Sequence, residues 1–392
     1  MKRRDFVGLM LGGVAGGTLL SYCANQKEAP PFFSEKKLFY KGYNGVDTYR
    51  IPSLLTTQQG TILAFSESRH DSRKDSGNID VVARRSTDMG ETWSEPLVVW
   101  DTGSNTCGNP CPVVDRDTGK IWLLLNWNLA TDEGKELHLG GAEDTRRVYI
   151  TSSEDDGQTW SDPIEITGMV KPDNWLWYAT GPGVGIQLRT GAHKGRLVIP
   201  CDHSTTDHRF ASHVIYSDDH GETWQVGGSV ENGNECQVIE RLTGELVLNM
   251  RMQSGVPRKK RWGYRGEAFS NDGGNTWENF TINESLIGPT CQASLIRYDW
   301  PDGANQGRLL FSNPASQDSR ENMTVRLSRD DGKTYPEARR IHTGPSAYSC
   351  LTVLPDNSIG LLYEGGEQNK YESITFAKFN LEWLTASTEN TK

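Results

Sequence analysis

Seven side chains in this sequence have the types and contexts to do chemistry together. They are Arg50 in TYRIPS, Arg69 in AFSESR, Asp75 in SRKDSGN, Glu235 in GNECQV, Arg251 in LNMR, Arg320 in SQDSREN and Tyr348 in SAYSCL. Guanidinium groups bind carboxylates through planar, charge-assisted and often bidentate hydrogen bonds. Arg50, Arg251 and Arg320 therefore suit a clamp on one substrate carboxylate. Gathered without an anion between them, three such cations repel one another. Beside an anionic substrate a carboxylate nucleophile is also repelled, whereas a neutral tyrosine is not. Tyrosine is a weak nucleophile at its ordinary pKa of about 10 and needs a base. Glu235 is the natural base for Tyr348, which leaves Asp75 to protonate a leaving group.

The elements that must bring these residues together are strands. Glycine is abundant at 41 residues, tryptophan is high at 12, and short apolar runs alternate with Asp, Asn, Gly and Ser. That pattern reads as all-β. An octapeptide box recurs as STDMGETW (86–93), SEDDGQTW (153–160), SDDHGETW (217–224), SNDGGNTW (270–277) and SRDDGKTY (328–335). In register with it runs an apolar hairpin: 51–65, 111–125, 183–200, 236–250, 291–311 and 349–363. Six hairpins at a long period predict a six-bladed β-propeller, an arrangement that protects strand edges. The segment KKLFYKGYN is expected to add a strand to the last blade and close the ring.

Strand direction then sorts the residues onto faces. First strands start, and second strands end, on one face, and all seven reactive residues fall there from blades far apart in sequence. The boxes end third strands and fall on the opposite face. Their Asp, Gly and Thr suit a tight turn and their Trp suits packing between sheets, so they are read as structural.

The formal charge of −10 argues against nucleic acid or an anionic membrane surface as a partner. Residues 1–25 read as an export signal: MKRRDF precedes a short Gly-rich apolar run, with Arg3-Arg4 resembling a twin-arginine signal and Leu20–Cys23 a lipobox. The expected location is periplasmic, secreted or cell-surface, with a membrane link only through lipidated Cys23. Residues 26–392 form one domain in this reading. Cys107, Cys111, Cys201, Cys236, Cys291 and Cys350 lack metal-ligand spacing and read as small buried residues, with a Cys107–Cys111 bridge as the alternative.

The combination of TYRIPSLL, a loop acid 25 residues after Arg50, NECQV with Arg251 16 residues beyond Glu235, and SAYS with Tyr348 28 residues after Arg320 resembles the exo-α-sialidases with Asp-box repeats, of the bacterial single-domain type. The resemblance implies an arginine triad, Arg50, Arg251 and Arg320, on the carboxylate of a terminal sialic acid. It implies Asp75 as acid/base, Tyr348 as nucleophile and Glu235 as its partner, in a retaining hydrolysis through a glycosyl-tyrosine, with no cofactor and no metal. The implied partners are sialylated glycans: glycoproteins, glycolipids and oligosaccharides. Arg69 is expected either at the acyl or carboxylate region or in a supporting salt bridge. Asp80 competes with Asp75 as the acid, although its apolar strand context favours a structural hydrogen bond. Asp71 is read as solvated, and Trp127, Asp202 and Tyr178 as sugar contacts or packing residues. Intramolecular trans-sialylation releasing an anhydro-sugar would use the same residues; sialic-acid binding without turnover is the alternative from another class, although it has no need for a tyrosine–glutamate pair and a loop acid.

Overall fold

The computed structural model describes residues 29–253, 263–301 and 307–386. The proposed signal and Cys23 lie outside the described residues. Strand β1 (Phe33–Tyr40) is followed by β2 (Thr48–Thr56), β3 (Ile62–Arg69), β4 (Ile79–Ser86) and β5 (Leu97–Trp100), and the latter four pair in order as one antiparallel group. The second group is β6 (Thr106–Val114), β7 (Ile121–Asn128), β8 (Arg147–Ser153) and β9 (Ile164–Glu165). The third is β10 (Trp175–Thr180) and β11 (Ile186–Gln187), both on β12 (Leu197–Thr205), then β13 (Phe210–Ser217) and β14 (Gln225–Glu231). The fourth is β15 (Gly233–Glu240), β16 (Leu246–Met252), β17 (Tyr264–Ser270) and β18 (Glu278–Ile287). The fifth is β19 (Ser294–Arg297), β20 (Leu309–Pro314), β21 (Glu321–Ser328) and the first half of β22 (Glu337–Val353). The second half of β22 opens the sixth, with β23 (Ile359–Gly365), β24 (Ser373–Phe379) and, as expected, β1 as the closing strand.

The innermost strands touch in sequence order around a ring, and β22 touches β2, which closes it. The chain is thus an all-β propeller, and its pairing is compatible with six blades. The apolar core lies between neighbouring sheets, because a sheet buries its apolar face only against another sheet. Leu63, Phe65, Leu123 and Leu125 join groups one and two, while Leu54, Ile62, Leu362 and Phe376 join groups one and six. All six expected cysteines are free and buried, so no Cys107–Cys111 bridge forms.

Two departures from the sequence reading matter for the site. The third hairpin was expected to begin at Gly183, but its inner strand starts at Trp175 and breaks after Thr180. Proline lacks a backbone donor, and Gly183 takes a φ of +139° that favours glycine. The break turns Pro182 and Gly183 into the central channel. There the Pro182 carbonyl accepts from Gln237 and Gln292 at 3.2 and 3.1 Å, and the Gly183 carbonyl accepts from Ser53 at 2.8 Å. Tyr348 was expected to enter a separate hairpin. It lies instead inside the 17-residue β22, which passes from the fifth group into the sixth.

The boxes behave as structural joints. In the third, Ser217 Oγ donates to Asp219 at 2.7 Å, Thr223 donates its N–H and hydroxyl to the two Asp219 oxygens at 2.9 and 2.6 Å, and Trp224 Nε1 donates to the Gly221 carbonyl at 3.0 Å. Burial raises the Asp219 pKa, but these donors outweigh it and hold it below the usual carboxylate range. Gly221 packs on the previous blade: a Cβ there would lie 2.3 Å from Trp122 Nε1. Asp219→Ala should therefore lower Tm by about 1–3 °C and leave turnover per folded molecule unchanged, as calorimetry and a rate assay will read. A loss of turnover with unchanged Tm would overturn the structural role.

Candidate active site

The starts of first strands and the ends of second strands converge in a cleft, as their direction requires. Arg50 lies on β2, Arg69 ends β3, Glu235 lies on β15, Arg251 near the end of β16, Arg320 just before β21, and Tyr348 on β22. Burying three arginines is costly unless each finds an acceptor. Arg50 finds it in Glu364, a residue the sequence reading missed. Arg50 Nε donates to Glu364 Oε1 at 2.7 Å, and the same carboxylate accepts the backbone N–H of Ile51 at 2.9 Å and of Tyr348 at 3.1 Å. The Glu364 side chain is fully buried. Burial lowers the Arg50 pKa, but Glu364, followed by Tyr371, Asp75 and Tyr348, together outweigh it and keep the guanidinium charged.

Tyr348 is the hub of the cleft. Its Oη donates to Glu235 Oε1 in a short contact. Arg251 Nη1 donates to Glu235 Oε2 at 2.7 Å and to the Tyr348 oxygen at 3.2 Å. The guanidinium carbons of Arg50 and Arg320 lie 5.3 and 5.5 Å from the Tyr348 ring centre. Tyr371, also missed, is shared by both: Arg50 lies 3.9 Å over its ring, and Arg320 donates to its hydroxyl at 3.1 Å. Burial and then Glu235 push the Tyr348 phenol well up, while Arg251 and Arg320 pull it down. The phenol is therefore neutral at rest, with a base already in contact.

Asp75 stands on the loop between β3 and β4, and 69 % of its side chain is exposed in the cleft mouth. Arg69 Nη1 donates to it at 2.7 Å and Arg50 lies 3.8 Å away. The surrounding protein raises its pKa, but Arg69 and then Arg50 hold it below the usual carboxylate range. Of the two expectations for Arg69, the geometry matches the supporting salt bridge: it also pairs with Glu67 at 2.6 Å, and it is buried. Asp80 is tied to His70 at 2.6 Å and Asp71 is exposed, so Asp75 is the loop acid nearest the arginines.

The remaining sugar-contact candidates separate. Trp127 donates to Thr102 at 3.1 Å, Tyr178 is buried in the interface between groups two and three, and neither lines the cleft. Asp202 does line it, holding Trp177 Nε1 at 3.1 Å and Asn234 Nδ2 at 2.9 Å. Burial and then Glu235 push its carboxyl well up. Beside it stands a wall that sequence reasoning missed. Its His138 sits on helix α1 (Gly134–Leu139) and stacks on Trp177 with 4.4 Å between rings. The Arg146 guanidinium lies 4.1 Å over the Trp177 ring and donates to Asn128 Oδ1 at 2.9 Å. A trio elsewhere, Asp115, Asp117 and His220, has donor atoms within 4.8 Å of one another. Its Asp115 oxygens already accept from Gln187, Thr118 and His220, so hydrogen bonds account for it.

Residues 60–363 match the family model described as a BNR repeat-like domain. The chain is 38 % identical over 371 residues to a sialidase of Micromonospora viridifaciens, covering 90 % of this chain and 55 % of that protein. It is 33 % identical to an exo-alpha-sialidase of Aspergillus fumigatus, covering 93 % of this chain and 94 % of that one. The structure of the Hadza microbial sialidase Hz136 superposes with a TM-score of 0.79 at 33 % identity, over 89 % of this chain and 68 % of that chain. Removing the Glu364 charge leaves Arg50 buried without its partner. Glu364→Gln should lower the unfolding free energy by about 3 kcal/mol in urea titrations and weaken binding of a carboxylate ligand. Unchanged stability would show that Arg50 has another adequate acceptor.

Proposed function

The chain belongs to the sialidase family, and from that premise we propose that it is a retaining exo-α-sialidase acting on terminal sialic acid of glycoconjugates. The observation that carries this reading is the Tyr348–Glu235 contact ringed by Arg50, Arg251 and Arg320. The three guanidiniums bind the C1 carboxylate of the sugar. Asp75 gives its proton to the glycosidic oxygen as the C2–O bond breaks. Tyr348 Oη bonds to C2, and its proton passes to Glu235. Water then attacks C2 and gives a proton to Asp75, and the C2–tyrosyl bond breaks as Tyr348 recovers its proton from Glu235. A neutral tyrosine approaches the anionic sugar without repulsion, and the nearby carboxylate stabilises positive charge developing at C2. This scheme is the tyrosine exception among glycosidases, which otherwise use two carboxylates. The signal-like residues 1–25 favour action outside the cytoplasm.

Asp75 fits the role through its electrostatics. At rest two arginines hold its proton affinity low. A bound sugar carboxylate neutralises Arg50 and adds negative charge nearby, and both effects raise it. A general acid works only while protonated, so rate falls as pH rises through its pKa. The alkaline fall of kcat/KM, which reports the free enzyme, should therefore begin at lower pH than that of kcat. Asp75→Asn should abolish the difference. It should slow natural sialosides about 10³-fold and aryl sialosides less than about tenfold, because good leaving groups need little protonation. Equal losses on both substrates would remove Asp75 from the acid role.

Tyr348→Phe should lower kcat roughly 10³-fold with little change in sialoside binding. Proton NMR of the wild-type protein with sialyllactose should show the α-anomer of free sialic acid first. A β-anomer first would exclude retention. An anhydro-sugar would make the reaction an intramolecular transfer, and binding without product would make the protein a lectin.

A further inference from the structure

A second cavity, larger than the cleft, opens at the other end of the central channel. Its volume is about 410 Å³, within the range of small-molecule sites. Each inner strand contributes to its wall: Leu54 from β2, Val113 from β6, Ile186 from β11, Ile239 from β15, Ile296 from β19 and Leu351 from β22. These residues lie further along the same strands that carry Arg50, Glu235 and Tyr348 at their other ends. Between the two cavities stand Pro182 and Gly183, fixed by Ser53, Gln237 and Gln292. The two sites are therefore separate.

The rim of this apolar throat is cationic. Arg116, Arg189 and Arg297 line it, together with Trp300 and Glu240. The Glu240 carboxylate is already occupied by the backbone N–H groups of Arg189 and Thr190 at 2.7 and 2.8 Å and by the Thr190 hydroxyl. Arg297 is likewise spoken for, by the Glu240 carbonyl and Asp331. Among the described residues the Arg116 guanidinium donates only to the Gln187 backbone carbonyl, at 2.5 Å. The Arg189 guanidinium meets the Trp300 ring at 5.4 Å and makes no ion pair among the described residues. Burial, and then the charge of Arg189, lower the Arg116 pKa, so the two guanidiniums repel one another. Glu240, Asp117 and Asp115 offset part of this charge, but neither guanidinium is in a salt bridge among the described residues, and a cationic pair above an apolar throat is complementary to one kind of ligand.

We propose that this cavity is a second ligand site, taking a small amphipathic carboxylate whose apolar body enters the throat and whose carboxylate is held by Arg116 and Arg189. Trp300 offers its indole face to an aromatic or branched body at the rim. The site does not depend on what the cleft does.

Isothermal titration calorimetry of the full chain with 4-phenylbutyrate tests this. The expected result is one saturable site with submillimolar Kd, at least tenfold weaker binding of the neutral 4-phenylbutyramide, and at least tenfold weaker binding of 4-phenylbutyrate to Arg189→Glu. Arg189 makes no side-chain hydrogen bond among the described residues, so Arg189→Glu and Arg189→Ala should fold with unchanged Tm and unchanged turnover. Absence of saturable binding, equal affinity for acid and amide, or binding lost in Arg251→Ala but kept in Arg189→Glu would each overturn the proposal.

Discussion

The buried carboxylate of Glu364 is the constraint on which the site depends. One side chain neutralises Arg50, holds the Ile51 N–H on β2 and holds the Tyr348 N–H on β22. It therefore fixes the Arg50 guanidinium and the central tyrosine relative to each other, and it does so across the seam where the ring closes. A buried ion pair is weak evidence for stability, since desolvation offsets much of the attraction. Its value here is positional. Glu364 has two oxygens and they serve three donors, so any movement of β2 against β22 strands a buried charge or a backbone donor.

The same economy governs the centre of the propeller. Six strands converging on an axis leave a channel that water would fill unless the protein does. Gly181–Gly183 crosses it, and its carbonyls are met by Ser53, Gln237 and Gln292 from three different blades. A buried carbonyl left unmet costs about as much as a lost hydrogen bond, so these side chains stiffen the plug.

Much of this was legible in the sequence, and the limits were physical. The hairpins, the boxes and the closing strand rest on strand alternation and turn chemistry, which are local. The reactive residues followed from strand direction alone, because strand ends must gather at one face. The same rule applied to every hairpin nominates Glu364 in LLYEGG, Glu67 in FSESR and Asp202 in IPCDH. Asp202 is read from the sequence as a sugar contact or packing residue, whereas Glu364 and Glu67 are passed over because an acid at a strand end has no chemistry until its arginine is known. Gly183 reads as the start of the third hairpin, since nothing local says that the Pro182 and Gly183 carbonyls face an axis. Arg146 and His138 come from a long excursion whose short helix is capped by Glu133 and Glu136, and its position against Trp177 is set only by tertiary packing.

The cleft divides into a fixed half and an accessible half, and the chemistry explains why. Arg50, Glu235, Arg251 and Tyr348 are held within a lattice of direct contacts in which every charge faces an opposite one. In the proposed reaction they would serve the anionic sugar, whose carboxylate is the same in every substrate. Asp75 instead sits on an exposed loop, tethered through Arg69 and through the Lys74–Glu133 bridge at 3.0 Å to the helix opposite. It must reach the side from which the leaving group departs, and leaving groups differ in size and shape. A proton donor packed as tightly as Tyr348 would exclude large glycans from the mouth. The arginine beside it then has a second effect: it keeps Asp75 ionised and solvated until a substrate carboxylate arrives to shift the balance of charge. Under the proposed roles, substrate binding and readiness of the acid are coupled through Arg50, which lies 3.8 Å from Asp75.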